Sequence, residues 1–280
     1  MLIDGKNISQ AILAGLAEQV NSFSQKPVCI DLIFDNDLVG QSYAKVKQKA
    51  AQQIGIEFNI IEIGRDQATG QVAHKIQQLN LTPNLSGLLV QLPLPEHLDG
   101  RLLLSAINPG VDIDCLGPDT QNAFYNNRPR FIPPTVLAVD YMINSLDIHL
   151  ADLQYLVIGQ GVLVGKPITH WLRAKNFNVH TADIYTQDLD RLLSMADCVI
   201  SATGKPKLIT GDKLKRGAIV IDAGAAEIGG KLVGDTDKET VTEVASYYSP
   251  VPGGLGPVTV AMLCQNLVDS AKLLLNKPNF

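Results

Sequence analysis

A chain of 280 residues, 46% hydrophobic and 18% charged, has ample material for a core and is long enough for two domains of ordinary size. Its 23 basic and 28 acidic side chains leave a net charge of −5, which offers no basic field for nucleic acid or a membrane surface. Cys29, Cys115, Cys198 and Cys264 form no CxxC pair, so neither a zinc site nor a disulfide framework is indicated and no metal is expected. No apolar run is long enough to span a bilayer and the first residues carry no charged-then-apolar leader, so the cytoplasm is the expected compartment.

Ile8, Ala11, Ile12, Leu16 and Val20 fall at helical spacing across residues 7–23. Val28–Phe34 reads as a strand closed by the turn formers Asp35, Asn36 and Asp37. A helix is expected over 41–54. Within it Tyr43 and Lys47 are four residues apart, one above the other on a single face. That face could offer a flat stacking ring beside a movable proton donor; composition alone favours a solvated basic surface shared with Lys45 and Lys49. Residues 56–63 alternate as a strand and 70–79 carry a helical pattern. Gly87-Leu-Leu-Val-Gln91-Leu-Pro93-Leu-Pro95 is an apolar strand ending in a carboxamide. At the carboxyl edge of an open α/β sheet Gln91 stands where ligands bind, or it simply satisfies backbone groups there. Asp112 and Asp114 lie among turn formers, where acids usually cap turns. Residues 108–134 read as irregular, with Pro129, Pro133 and Pro134 marking a linker. Strands alternating with helices imply parallel pairing through crossovers.

After a helix over 135–146, a buried strand over 153–158 runs into Gly159-Gln160-Gly161-Val-Leu-Val-Gly165-Lys-Pro167 and then a helix whose first turn holds Pro167. A strand, glycine turn and helix can cradle a pyrophosphate, because small residues allow close approach and the helix N-terminus favours negative charge. The spacing is one residue longer than the common fingerprint, and such glycines can also be purely structural. The next strand, Asn178–Ala182, ends at Asp183, an acid placed to accept from ribose hydroxyls and to repel a 2′-phosphate. A short helix, Leu189–Met195, precedes a strand ending at Thr203 and Gly204, and a strand over 218–222 runs into Ala223, Gly224 and Ala225. Three strands with small or acidic endings favour a nucleotide cleft. Residues 249–259 then combine three prolines with three glycines, a stiff loop that lets another backbone or a ligand come close, before a helix over 260–275. His74, His97, His149, His170 and His180 show no ligand spacing and read as surface or structural residues.

In order along the chain, Ile3-Asp4-Gly5-Lys6, Tyr43-x-x-x-Lys47 with Lys49-Ala50, Gly87–Pro95, Asp112-Ile-Asp114, Val164-Gly165-Lys-Pro167 and Pro250–Pro257 with Thr259-Val-Ala261 resemble the bifunctional methylenetetrahydrofolate dehydrogenase/methenyltetrahydrofolate cyclohydrolase family over essentially the full length. The resemblance implies a two-domain α/β fold. A Rossmann-like dinucleotide-binding domain would span 135–257, an α/β folate/catalytic domain 1–134 with 258–280, and a cleft would lie between them. It implies oxidation of 5,10-methylenetetrahydrofolate with NADP or NAD and hydrolysis of the methenyl product to 10-formyltetrahydrofolate, within one-carbon metabolism and purine biosynthesis, by a homodimer. By the same resemblance Tyr43 would stack on the folate and Lys47 would position and help deprotonate the attacking water. Gln91 would hold Lys47 and Asp114 would bond the pterin, with Pro252, Gly253 and Gly254 lining the folate side. Thr135, Gly159, Gln160, Gly161, Gly165, Asp183, Ile184, Thr203, Gly204, Gly224 and Ala225 would hold the cofactor.

Several positions depart from the family pattern. Gln160 stands at a frequent arginine, and Ile184, after Asp183, at a frequent serine, which favours NAD. Gly40 stands at a usual serine, Cys115-Leu-Gly117 at a Gly-Phe-His-like stretch and Pro134-Thr-Val136 at a Cys-Thr-Pro-like stretch. Two other readings are a different two-domain nicotinamide dehydrogenase, such as one acting on a shikimate-like acid, and a non-catalytic folate- and nucleotide-binding paralogue. The Tyr43/Lys47/Gln91 set opposes the first, and a buried lysine, costly to keep without use, opposes the second.

Overall fold

The computed structural model describes residues 1–35, 37–146 and 148–275, and the chain divides into two units: Met1–Ser9 with Thr135–Thr259, and Gln10–Pro134 with the residues from Val260 onward. The helix α1 (Gly5–Asn21) leads into the second of these. There β1 (Val28–Phe34), α2 (Leu38–Gln53), β2 (Glu57–Ile63), α3 (Thr69–Leu79), β3 (Leu85–Val90), α4 (Gly100–Ser105) and α5 (Pro118–Tyr125) follow in order. The three strands are parallel and lie in the order β2-β1-β3.

The central strand is covered on both faces, which is why its sequence is apolar almost throughout while edge strand β2 alternates. Cys29 and Leu89 pack on one face against Leu16 of α1, Ala51 and Ile54 of α2, and Leu267 of α10 (Leu255–Leu275). Ile30, Leu32 and Phe34 pack on the other against Val72 and Ile76 of α3 and Leu103 of α4. A Cβ on Gly87 would come within 2.7 Å of both Ile113 and Leu267, so the bare glycine lets the 106–117 loop and α10 close over β3. Asn266 Nδ2 then donates to the carbonyls of Ile113 and Ile132, each at 2.8 Å, pinning that loop.

In the other unit α6 (Pro134–Asn144), β4 (Gln154–Ile158), α7 (Gly165–Ala174), β5 (Asn178–Ala182), α8 (Leu189–Met195), β6 (Cys198–Ser201), β7 (Ile219–Asp222), β8 (Ala226–Ile228), β9 (Lys231–Val233), α9 (Lys238–Val244) and β10 (Tyr247–Ser249) follow in turn. Five parallel strands lie in the order β10-β7-β6-β4-β5, and β8 and β9 form a separate antiparallel hairpin. Leu156, Val199 and Val220 of the sheet pack with Leu193 of α8 and Val241 of α9.

Four features differ from the sequence pattern. Residues 108–134 contain α5, whose eight polar-rich residues carry too little apolar periodicity to be read as a helix. The hairpin, α9 and β10 were not expected, being elements of three to seven residues. The last helix begins at Leu255 inside the proline-glycine loop, where Pro257 falls in a first turn that needs no N–H from it. Residues 1–9 group with the second half, not with 10–134: Ile3 N donates to Tyr248 O at 2.8 Å and Tyr248 N to Met1 O at 2.9 Å, extending the edge of β10. Of the turn expected at 35–37, Asn36 lies outside the described residues.

Candidate active site

In an open parallel sheet the ligand crevice lies beyond the carboxyl ends of the strands where the strand order reverses. The order β2-β1-β3 puts that point at the ends of β1 and β3. Gln91 is the first residue past β3, tied by its N–H to Leu32 O at 2.8 Å. The helix that follows β1 starts under the Asp37 carboxylate, which accepts from Gly40 N at 2.9 Å. A Cβ on Gly40 would collide with that carboxylate and press on Gln91 Cγ, so glycine here serves both the cap and the glutamine.

Two turns into α2, Lys47 reaches back over β1. Its Nζ donates to Gln91 Oε1 at 2.8 Å and lies 2.7 Å from Asp31 Oδ2. Gln91 Nε2 in turn donates to Leu92 O at 3.0 Å, which fixes the orientation of the amide. Lys47 is 6% exposed and Asp31 fully buried, so the ion pair is sheltered from water. Apart from that ion-pair contact at Oδ2, the Asp31 carboxylate has no hydrogen-bond donor among the described residues. Burial pushes the Asp31 carboxyl above the usual carboxylate range and the Lys47 charge opposes that push.

Tyr43 shares the face of Lys47 and keeps 48% of its surface exposed. Its hydroxyl is pushed upward, first by the protein around it and then by the Asp114 charge. Asp114 itself is raised from 3.8 to about 6, chiefly by desolvation; Lys47 acts against the rise, while Asp112 and Asp31 add to it. Its neighbour Asp112 has a different task. It is buried, accepts from Leu116 N and Gly117 N at 3.2 and 2.8 Å and from the Thr120 hydroxyl, and so ties the loop onto the first turn of α5. Cys115, directly after Asp114, has φ +58, the left-handed region that favours glycine.

The expected residues Tyr43, Lys47, Gln91 and Asp114 therefore belong to one cluster, joined by Asp31, which the sequence pattern did not single out. Its signal was there: an acid inside an apolar strand covered on both faces must find a partner. Pro252, Gly253 and Gly254 belong to the other unit. There Gly5 N donates to Gly253 O at 3.0 Å, and a Cβ on Gly254 would collide with Ser249 Oγ, so the glycines let this loop fold tightly on the start of α1.

In that unit the order β10-β7-β6-β4-β5 reverses between β4 and β6. Gly159 at the end of β4 has φ +85 and lies against Ala202 O at the end of β6, and Thr203 and Gly204 follow. Gly165 packs directly on the Gly159 carbonyl, whereas Gly161 has open space where a Cβ would be. This bare turn, with the N-terminus of α7 behind it, fits a pyrophosphate. Gln160 turns inward, its Nε2 donating to Val157 O at 3.2 Å. Asp183 is exposed at the end of β5, and its Oδ1 accepts from Tyr185 N at 2.9 Å; Ile184 is 89% exposed. Thr203 N donates to Asp235 Oδ2 at 2.7 Å, and a Cβ on Gly224 would collide with the Asp235 carboxylate, so packing by itself accounts for that glycine. Thr135 lies in the first turn of α6 and Ala225 is exposed beyond β7. Among the described residues no group of three or more His, Cys, Asp or Glu is placed to hold a metal, and no helix is long and apolar enough to cross a membrane.

Residues 3–114 match the model of the tetrahydrofolate dehydrogenase/cyclohydrolase catalytic domain, and 133–275 that of the NAD(P)-binding domain of the same family. A bifunctional protein FolD of Exiguobacterium sibiricum is 36% identical over 275 residues, 97% of this chain and 99% of its own. The FolD methylenetetrahydrofolate dehydrogenase/cyclohydrolase of Campylobacter jejuni superposes with a TM-score of 0.93 at 33% identity, covering 98% of this chain and 99% of that one. The methylenetetrahydrofolate dehydrogenase-cyclohydrolase of Trypanosoma brucei, solved with NADP and an inhibitor, superposes with a TM-score of 0.93 at 30% identity, covering 99% of each chain.

Proposed function

The chain belongs to the tetrahydrofolate dehydrogenase/cyclohydrolase family, and we propose that it oxidises 5,10-methylenetetrahydrofolate to the 5,10-methenyl cation and hydrolyses that cation to 10-formyltetrahydrofolate. The observation that carries the reading is the Lys47 amino group, buried and held at 2.7 and 2.8 Å by Asp31 and Gln91 beside the half-exposed ring of Tyr43. A folate brings a flat aminobenzoyl ring, a pterin edge and, after oxidation, a positive charge. Tyr43 offers a stacking surface for the ring. Asp114, raised to about 6, can accept or donate a hydrogen bond at the pterin near neutral pH. Lys47 has three N–H groups, two of them engaged, and the third is free to hold a water. That water adds its oxygen to the methenyl carbon and gives up a proton; the carbon–nitrogen bond to N5 then breaks, N5 takes a proton, the remaining hydroxyl proton leaves as the carbonyl forms, and the formyl group stays on N10. In this reading Pro252, Gly253 and Gly254 line the folate side.

A nicotinamide dinucleotide, when bound, accepts the hydride from the methylene carbon. The bare turn of Gly159, Gly161 and Gly165 would hold its pyrophosphate, with Thr135, Thr203, Gly204, Gly224 and Ala225 along the rest. NAD is the preferred cofactor in this reading, supported by Asp183, which would repel a 2′-phosphate, by the uncharged, inward-turned Gln160 and by apolar Ile184. The reading extends to a cytoplasmic homodimer, to be checked by light scattering and fractionation.

The test is an absorbance assay of the purified protein with 5,10-methylenetetrahydrofolate and either NAD or NADP, with acid quenching to separate methenyl and formyl products. Turnover with NAD, and loss of the formyl product in K47M, is the expected result. Folate binding without turnover on either cofactor would leave the non-catalytic paralogue as the better reading. An affinity for NADP at least about tenfold above that for NAD would overturn the cofactor preference.

A further inference from the structure

We propose that Asp31 is a positioning residue for the hydrolytic step: with Gln91 it fixes the Lys47 amino group, and through that group it takes up the proton released by the attacking water. This rests on the folate reading above.

The position of Asp31 carries the inference. It sits at the middle of the central strand, in register with Ile60 of β2 and Leu89 of β3, and is fully buried. Its face of the sheet is otherwise that of Cys29 and Leu89, packed by α1, α2 and α10. Lys47, ion-paired at Oδ2, is its one polar partner among the described residues, and neither carboxylate oxygen has a donor there in full hydrogen-bond geometry. A lone ion pair in such a place is a weak stabiliser, because an apolar pair of similar volume commonly serves as well.

The proton inventory points the same way. A lysine ammonium carries three donors and no lone pair. While Lys47 is ion-paired its nitrogen cannot take a proton from water unless it passes one on, and Asp31 Oδ2, 2.7 Å away, is positioned to receive it. Gln91, 2.8 Å from the same nitrogen, can accept a hydrogen bond but not a proton. The step then balances. Water oxygen bonds to the methenyl carbon, one proton moves from water to Nζ and another from Nζ to Asp31. The folate falls from +1 to neutral as the Lys47–Asp31 pair rises from neutral to +1. When the carbon–nitrogen bond breaks, the leaving nitrogen takes that proton, the intermediate's hydroxyl proton leaves to solvent as the formyl carbonyl forms, and the pair is restored. Burial already biases the Asp31 carboxyl toward the protonated form. Of the other titratable groups, Asp114 from the loop before α5 and Cys29 on β1 feel the pair directly, while Tyr43 of α2 and Asp112 interact with Asp114, and Cys264 of α10 with Cys29.

The experiment uses full-length protein and follows methylene oxidation and methenyl hydrolysis separately across the pH range. D31N keeps an oxygen for the Lys47 hydrogen bond and loses the proton acceptor; D31E keeps the acceptor and moves it by one methylene. In D31N we expect the kcat of hydrolysis to fall about 100-fold or more, the usual scale of a lost acid–base group, with KM and the oxidation rate within about threefold of the wild type. D31E is expected to recover at least about tenfold of that loss with the acid limb of its pH profile displaced. Hydrolysis by D31N within about threefold of wild type, or D31E no better than D31N, overturns the proposal. Should D31N fail to fold, D31E decides, and an unmoved acid limb overturns it. A wild-type protein with neither activity defeats the folate reading itself, whatever the variants do.

Discussion

Gly165 sits so close to Gly159 that a Cβ on it would collide with the Gly159 carbonyl oxygen. The obstacle is backbone at the end of β4, where Gly159 N donates to Ala182 O at 2.8 Å, and it has no rotamer by which to escape. G165A must therefore open the turn, and we expect it to cost about 2–3 kcal/mol in urea unfolding and to abolish dinucleotide binding. G161A is the control: with open space around that position, stability should change by less than about 0.5 kcal/mol. Equal losses in the two variants would show that the turn is not closed by the Gly165 contact.

Asp112 is a structural acid in the same loop as Asp114. Removing its carboxylate strands Leu116 N, Gly117 N and the Thr120 hydroxyl inside the protein. D112A is expected to cost about 2–4 kcal/mol, since three buried donors lose their acceptor. Chemical denaturation measures it, and a loss below about 1 kcal/mol would mean that water replaces the carboxylate.

Legibility in the sequence followed the strength of the local signal. Val28–Phe34, Asn178–Ala182 and Leu189–Met195 emerged with their observed bounds, because each is a pure run bracketed by turn formers or a cap. Tyr43 and Lys47 were placed on one face by helical geometry alone, and Gln91 at a strand end by the prolines after it. The pairing of Lys47 with Asp31 was not legible as a contact, since the two are joined only when α2 folds back over β1. The β10 edge that captures residues 1–3 is a partner nearly the whole chain away, and nothing near Ile3 announces it. Gly224 carries a constraint that was equally hidden: the Asp235 carboxylate, eleven residues on, fills the space where a Cβ would be.

Cofactor choice should follow charge at the end of β5. The Asp183 carboxylate is exposed and one oxygen is engaged with Tyr185 N at 2.9 Å and the Thr186 hydroxyl at 3.3 Å. Replacing it by serine removes the repulsion, and arginine at the exposed position 184 adds a partner for a 2′-phosphate. D183S combined with I184R is expected to shift the NADP to NAD ratio of kcat/KM by about tenfold or more, equivalent to about 1.4 kcal/mol. Unchanged ratios would place the discrimination elsewhere.

Asp114 links the site to stability through pH. In the folded protein its carboxyl is raised from 3.8 to about 6, mainly by desolvation. The folded state thus holds its proton more tightly than the unfolded chain does. The resulting stability is fully present below about pH 4 and is lost as pH rises through about 6, the reverse of a salt-bridged carboxylate. Because the side chain is partly exposed, the contribution is about 1–2 kcal/mol, below what the full shift would give. D114N carries no proton to lose, so relative to wild type it should gain about that amount of stability between pH 4 and pH 7. Asp31 and Asp112, raised in the same direction, remain in both proteins and largely cancel in the difference. Urea midpoints for the two proteins across this window measure the effect. A difference that stays constant with pH would mean that Asp114 titrates as an ordinary surface carboxylate, and the pterin-binding role drawn from its raised value would fall with it.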